Sequence, residues 1–443
     1  MTVAPRSLRG GGITRKALLG IGAAAALLLS GCALNGGEST DDSGGSSEGP
    51  VTLTFQSLAY QDSTVAATKE IVDAWNSDNP DIQINLRQGT WDNVHDQLVT
   101  QFQGGTAPDI IHDESSDIMG FAEQGYLADI GKYLSQDVKD AVSEDVWDTV
   151  TTEDGKVVAA PTLLQTYVAF ANVDAFKAAG VEVPTGDQLT WDDLQAAARK
   201  LSTGGKFGVG WGLKQPTAAI MNTALGFDGT FFDTKADGSA TIDVGDGEVA
   251  VPEKIHAMAY GDKSLDPVTL TQSGTDVLPG FLSGKYGVYI GGNFLAQQIT
   301  ESAQPGFDWT VLPPLAGSAG PAQAANPQTM SVSAQSKAPE QAAKFIDYFA
   351  NAENQAKLAQ GDWLIPASAP ARDAVAEQTK DTPVWGPILK TGDDLKGAPF
   401  QKAKNYPQWK DQYATPVLQQ YFANSISLDD LRRQLTDGWQ SLG

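Results

Sequence analysis

The stretch VTLTFQSLAYQDSTVAATKEIVDAWNSDNPDIQINLRQGTWDNVHDQLVTQFQGGTAPDII, residues 51–111, decides the fold. Val51, Leu53 and Phe55 alternate with threonines, the period-two pattern of a half-buried strand. Asp62 or Ser63 is placed to cap a helix carrying Val65, Ile71, Val72 and Trp75, which Asn79-Pro80 ends. Ile82, Ile84 and Leu86 alternate again. Val94, Leu98 and Phe102 follow at helical spacing, Gly104-Gly105 stops that helix, and Asp109-Ile110-Ile111 starts a third strand. Strand–helix–strand–helix–strand predicts an α/β fold with a parallel sheet and right-handed crossovers.

The alternation continues downstream. Val157 to Pro161, Thr166 to Phe170, Tyr286 to Ile290 and Trp309 to Leu312 read as strands, the last stopped by Pro313-Pro314. Thr190-Trp191-Asp192-Asp193 opens a helix in the manner of a capping box, with Leu194, Ala197, Ala198 and Leu201 inward. Pro339 and Glu340 open another with Ala342, Ile346 and Phe349 inward, and Ser427 to Leu442 reads as a final capped helix. Trp75, Trp191, Trp309 and Trp439 fall on these faces and are expected in the core. No short internal repeat occurs, which disfavours a solenoid or propeller.

The chain has 443 residues, enough for two or three folded units. Its formal net charge is −24, and without the four bases that precede Cys32 it is about −28, from 26 bases and 54 acids. Such a surface repels phosphate polymers, so no nucleic-acid partner is expected. Residues 6–16 are basic, and residues 17–29 (ALLGIGAAAALLL) form an apolar run of signal-peptide length, short for a membrane span. The run ends in Leu29-Ser30-Gly31-Cys32, which resembles a bacterial lipobox. The resemblance implies that residues 1–31 are removed and that Cys32 is diacylated. Cys32 is the only cysteine, so neither an internal disulfide nor a cysteine-based zinc site is possible. Residues 32–50, rich in Gly, Ser and acids, then form a flexible tether, and the body sits on the extracellular face of the cell membrane, held by lipid alone.

In an open α/β sheet, ligand-binding groups sit on loops beyond the carboxyl ends of strands. That rule selects Gln56, Ser57 and Tyr60 after the first strand and Trp91 after the second. His112, Asp113 and Glu114 follow the third, and Asn293 and Phe294 follow Tyr286–Ile290. Flat aromatic faces together with planar hydrogen-bonding groups suit a sugar, which offers C–H faces and edge hydroxyls. Trp91 is equally suited to packing at a helix start, and Asp113 and Glu114 to being solvated loop acids.

Gly105-Thr106-Ala107-Pro108-Asp109-Ile110 resembles the G-x-x-P-D-I segment of the bacterial extracellular solute-binding proteins of the sugar-binding, maltodextrin-like class. Gly125 to Ile130, Gly155 to Pro161, Ala171 to Phe176, Thr190-Trp191, Phe281 to Val288, Leu312-Pro313, Ala342 to Phe345 and Ile365-Pro366-Ala367 extend the resemblance in order over most of the chain. It departs where this chain has Ala171-Asn172-Val173 and Gly287-Val288. The resemblance implies a two-lobe periplasmic-binding-protein-like fold. Each lobe is a mainly parallel sheet flanked by helices, joined by hinge strands, with ligand held between the lobes. The N-terminal lobe is expected to comprise 51–164 and 314–362, and the C-terminal lobe 165–313 and 363–443. Gln165, Thr166, Leu312 and Pro313 are the expected hinge residues, with a third crossing near Trp363. Resemblance also places Trp211, Lys214, Gln215 and Trp363 among ligand contacts. Phe294 stands where maltodextrin binders often have a stacking Trp, which puts a long maltodextrin in doubt.

The function implied is capture of a mono- or oligosaccharide and its delivery to the permease subunits of an ABC importer. A monomer without metal or cofactor is expected. The alternatives are a secreted glycan-acting enzyme, for which a pair of the 54 acids would suffice, or a receptor for a non-sugar solute that feeds a sensor. The string Gly45-Ser46-Ser47-Glu48-Gly49 falls in the tether and not between a strand and a helix, so it is no nucleophile elbow; HExxH and a Walker loop are absent, and His95, His112 and His256 lack metal-ligand spacing. The acid- and Gly-rich run Asp228 to Glu248 departs from the EF-hand pattern and reads as hairpin turns.

Overall fold

The computed structural model describes residues 49–235 and 238–442. The expected signal peptide, Cys32 and nearly all of the tether lie outside the described residues. Strand β1 (Val51–Ser57) pairs in parallel with β2 (Ile82–Gln88), Val51 opposite Ile82, and with β3 (Ile110–Glu114). The intervening helices run Asp62–Asp78 and Val94–Gln103, and the second buries Val94, Leu98 and Phe102 as their spacing requires. Gln61, not Asp62 or Ser63, occupies the N-cap position of the first, with no side-chain capping bond, and the Ser63 hydroxyl donates instead to the Gly361 carbonyl at 2.8 Å. The Asp109 carboxylate accepts from the Thr54 amide (2.8 Å) and hydroxyl (2.9 Å) and from Ser336 Oγ (2.7 Å), pinning the start of β3 to β1.

Seven further strands matter to the site: β4 (Ala159–Leu164), β5 (Tyr167–Asn172), β6 (Phe207–Trp211), β7 (Tyr286–Gly292), β8 (Trp309–Val311), β9 (Pro327–Val332) and β10 (Ile365–Pro366). They complete a larger sheet of order β10-β4-β9-β3-β1-β2 and a smaller one of order β8-β5-β7-β6. Most strands in each sheet share a direction. However, β9 runs antiparallel to β3 and β4, β10 to β4, and β5 to β7 and β8, so both sheets are mixed. The reversed strands include β5 and β9, which arrive directly from the other sheet without the crossover helix that a parallel neighbour needs.

One core gathers Phe55, Ile110, Met330, Phe345 and Phe349, and another Trp211, Val288, Ile290, Trp409 and Phe422. The smaller sheet divides its faces between them by simple alternation. Phe170 and Tyr289 join the first, while Ala169, Val288 and Ile290 join the second. Thr190 and Ser427 cap their helices as read, accepting from the amides of Asp193 and Asp430. Phe232–Thr234 and Ala240–Ile242 pair as an antiparallel hairpin in the run read as turns. Among the described residues no helix is long and apolar enough to cross a membrane.

The chain passes between the sheets at places only partly anticipated. Gln165 and Thr166 link β4 to β5. Leu312 and Pro313, by contrast, stay with the smaller sheet: the Leu312 amide donates to Ala169, and Leu315-Ala316 pairs with Leu189-Thr190. The second passage therefore falls at Ala325-Asn326, immediately before β9. Nor does the chain leave the larger sheet at Trp363, since Ile365 and Pro366 pair with Leu164 and Leu163. Helices Ala369–Gln378 and Trp385–Lys390 pack into the first core, whereas Phe400 onward packs into the second. The third passage lies near Leu395-Lys396, which runs beside Gln323-Ala324. Thr166 Oγ1 and Thr391 Oγ1 meet at 2.6 Å, tying the first passage to the third.

Candidate ligand-binding site

Where the two sheets face each other lies a cavity of about 390 Å³. From the larger-sheet side Tyr60, Trp91, Asp113, Glu114, Asp117 and Gln328 line it. Phe294 and Lys410 come from the other side, and Gln165 from the first passage. A second cavity, of about 140 Å³, shares Glu114, Ser116, Gln165 and Lys410, and adds Tyr167, Asn222, Asn326, Gln401 and Tyr406. The two therefore adjoin as one cleft. A groove between helices Ala352–Asp362 and Ala369–Gln378 is of similar size, about 420 Å³, but its lining includes no aromatic residue.

The loops that carry these groups are held firmly. His112 Nδ1 accepts from the Leu58 amide at 3.1 Å, so Nε2 carries the proton and donates to Gln328 Oε1 at 3.0 Å. Burial pulls the imidazole down to about 4, keeping it neutral. Trp91 stands edge-on against it, with ring centroids 5.6 Å apart. On the opposite wall Gly292 allows close approach. A Cβ there would lie 2.3 Å from Phe294 Cε1, so glycine lets the ring fold back over the end of β7 toward Gln165.

The polar groups are unevenly satisfied. Asp113 is only 1% exposed; its Oδ1 accepts from the Glu114 amide at 2.8 Å, while Oδ2 is buried with no partner. Burial, with help from nearby Asp117, pushes its carboxyl up to about 8. Burial also raises Glu114, against the pull of Asn326 Nδ2, which donates to it at 3.1 Å. Asp362 is raised to about 6 by burial, although the Thr64 hydroxyl donates to it. In the second cavity Asn222 Oδ1 and Gln401 Oε1 are likewise buried acceptors without a donor. A buried acceptor left unpaired costs about 1–3 kcal/mol, and a ligand hydroxyl removes that cost.

Tyr60, Trp91, Asp113, Glu114, Phe294 and Gln165 of the first passage thus come together around one space. Gln56 and Asn293 do not. Gln56 is buried, and Asn293 braces the first passage, its Oδ1 accepting from the Thr166 amide at 3.2 Å. Trp211 is a correction: it is 1% exposed and stacked on Trp191 at 5.8 Å, a core residue at the end of β6. Lys214 and Gln215 lie outside the lining of both cavities. Trp363 stacks on Trp385 at 4.8 Å while its neighbours Asp362 and Leu364 line the cavity. Asp117 escaped the sequence reading although it sits just past Glu114, within reach of the same strand-end rule. Gln328 and Asn326 escaped because β9 is reversed, which brings its beginning, rather than its end, to the cleft. Lys410 and Tyr406 lie in the helical segments Tyr406–Trp409 and Lys410–Ala414, the second a π-turn that runs on into Thr415–Phe422, a stretch that the strand-end rule does not reach. No grouping of three or more His, Cys, Asp or Glu able to hold a metal ion occurs among the described residues.

The sequence profile of the bacterial extracellular solute-binding protein family matches residues 60–356. The chain belongs to that family. A relative described as an uncharacterized lipoprotein in the oleD 5′ region of Streptomyces antibioticus is 39% identical over 92% of this chain and 88% of its own length. The maltodextrin-binding protein MdxE of Bacillus subtilis is 26% identical over 62% of this chain and 64% of its own. Among solved structures, the acarbose-binding GacH receptor of Streptomyces glaucescens aligns with 89% of this chain and 99% of its own (TM-score 0.74, 19% identity). The cyclic α-maltosyl-1,6-maltose binding protein of Arthrobacter globiformis aligns over the same shares (TM-score 0.75, 20% identity). These likenesses establish the two-lobe binding-protein fold for this solute-binding protein.

Proposed function

We propose that this solute-binding protein captures a carbohydrate in the cleft between its sheets and delivers it to the permease subunits of an ABC importer. The observation that carries the reading is the lining itself. Buried polar atoms without partners (Asp113 Oδ2, Asn222 Oδ1, Gln401 Oε1) belong to side chains on both sides of one cleft, together with the aromatic residues Tyr60, Trp91 and Phe294. Hydroxyls satisfy the acceptors, and the weakly apolar ring faces of a sugar suit the aromatics. Relatives named for maltodextrin and arabinooligosaccharide binding support the same class of ligand. Lipid on Cys32 then holds the body, as a monomer, at the outer face of the membrane. Contacts from both sides favour a closed arrangement that the permease can read.

Titration calorimetry with mono- to hexasaccharides tests this. The expected result is saturable 1:1 binding with no change in the sugar, weakened at least about tenfold by Glu114→Gln. Hydrolysis of the bound glycan would move the protein to the enzyme class, and no binding by any carbohydrate would end the reading.

A further inference from the structure

The cleft carries a charge asymmetry that neutral-sugar capture leaves unused. Asp113, Glu114, Asp117 and Asp362 all line the larger cavity, against Lys410 as its one lysine or arginine. None of the four carboxyls forms an ion pair with a lysine or arginine among the described residues. Asp117 has only His95 Nδ1, at 3.5 Å, and the Lys410 ammonium has Asp411, at 3.9 Å. Elsewhere the protein pairs its acids readily, as in Lys285 with the buried Asp266 at 2.6 Å and Lys402 with Asp148 at 2.9 Å. The unpaired acids therefore mark the cleft as a place where positive charge is missing.

We infer that the cleft is built for a carbohydrate bearing a protonated amine, with Asp113 Oδ2 and the carboxylates of Asp117 and Glu114 as its counter-charges. This rests on the carbohydrate reading and narrows it. Two further observations point to an organic cation. Asp113 Oδ2 is fully buried, lacks any partner and belongs to a side chain of the cavity wall, so its partner has to come from the ligand, and an ammonium beside it also ionises a carboxyl that burial otherwise keeps protonated. The acids also do not converge as a metal cluster among the described residues, which favours a charge on an extended molecule over a bare ion. An ammonium satisfies a carboxylate with a charge-assisted hydrogen bond, roughly twice as strong as one from a hydroxyl. Trp91 adds an aromatic face to the same wall, able to pack against a cation. With a formal net charge of −24, the protein also draws cations toward it.

The test is calorimetric titration of the purified protein with mono- to trisaccharides in matched sets, each sugar as the free amine, the N-acetyl derivative and the hydroxyl compound. Glucosamine, N-acetylglucosamine and glucose with their oligomers form one set. The expected result is that in at least one set the amine binds at least about tenfold tighter than both counterparts, the scale of one charge-assisted bond. Asp113→Asn and the more accessible Asp117→Asn should each reduce that ratio toward one without abolishing binding of the neutral counterpart. Neutral sugars binding as tightly as the amines would overturn this inference and leave carbohydrate capture standing. A ratio unchanged in both variants would overturn the assignment of these carboxyls. Binding by no sugar of any set would overturn both readings.

Discussion

At Gly292 a single missing carbon atom shapes the ligand wall. Gly292→Ala puts a methyl 2.3 Å from Phe294 Cε1 and 2.7 Å from Cδ1, so the ring must swing away from the cavity it lines. The expected outcome is a loss of sugar affinity of about fivefold or more in calorimetry, with a melting temperature little changed, because Phe294 lies at the edge of the core. Trp211 behaves in the opposite way. Trp211→Ala, which empties a fully buried site against Trp191, should cost about 3–5 kcal/mol in denaturant unfolding. The milder Trp211→Phe should leave affinity within about twofold of the parent, since Trp211 lines neither cavity. The contrast shows what sequence carries at this scale. The strand-end rule led to Tyr60, Trp91, Asp113, Glu114 and Phe294, which the fold brings to one cavity. Resemblance alone led to Trp211 and Lys214. Whether an aromatic at a strand end faces a core or a cleft depends on the neighbour packed over it, here Trp191, which local pattern does not reveal.

Among the elements, β1 and β3 are bound to each other by side chains as well as by their ladder, and two of the titratable side chains of β3 shift in opposing senses. His112, held down at about 4 against 6.5, takes no proton where the unfolded chain does; its contribution to stability is lost as pH falls from about 6.5 to 4. Asp113, held up at about 8 against 3.8, keeps its proton where the unfolded chain has released it; stability is therefore lost as pH rises from about 3.8 to 8. Between about 4 and 6.5 the two slopes oppose each other, and above 6.5 only the Asp113 slope remains. Without ligand, stability should drop by about 2 kcal/mol between pH 6.5 and 8, and Asp113→Asn should remove that drop. Denaturant titrations at a series of pH values check this, and an unchanged slope in the variant would refute it. The strands and helices themselves were legible because residues 51–111 carry clean periods of 2 and 3.6. The passages at Ala325-Asn326 and Leu395-Lys396 were not, because such short pairings rest on partners far away in the chain rather than on any local pattern.

For the whole molecule, the proposed function turns on closure around the ligand. Contacts already span the two sides of the cleft: Gln297 Nε2 donates to Ser63 Oγ at 3.1 Å, and Lys402 pairs with Asp148 at 2.9 Å. Each holds the two sides together weakly, on the scale of a surface interaction, about 0.2–1 kcal/mol. Gln297→Ala should accordingly weaken sugar binding by about two- to fivefold, mainly through a faster off-rate in stopped-flow fluorescence, although Gln297 lines neither cavity. A variant identical to the parent would show that this contact does not bias closure. The most direct test of the central claim is a crystal structure of the protein grown with a carbohydrate that it binds in solution. An intact sugar is expected between Trp91 and Phe294, hydrogen-bonded to Asp113 Oδ2 and Glu114. A sugar seated elsewhere, or a cleaved product in that space, would contradict it.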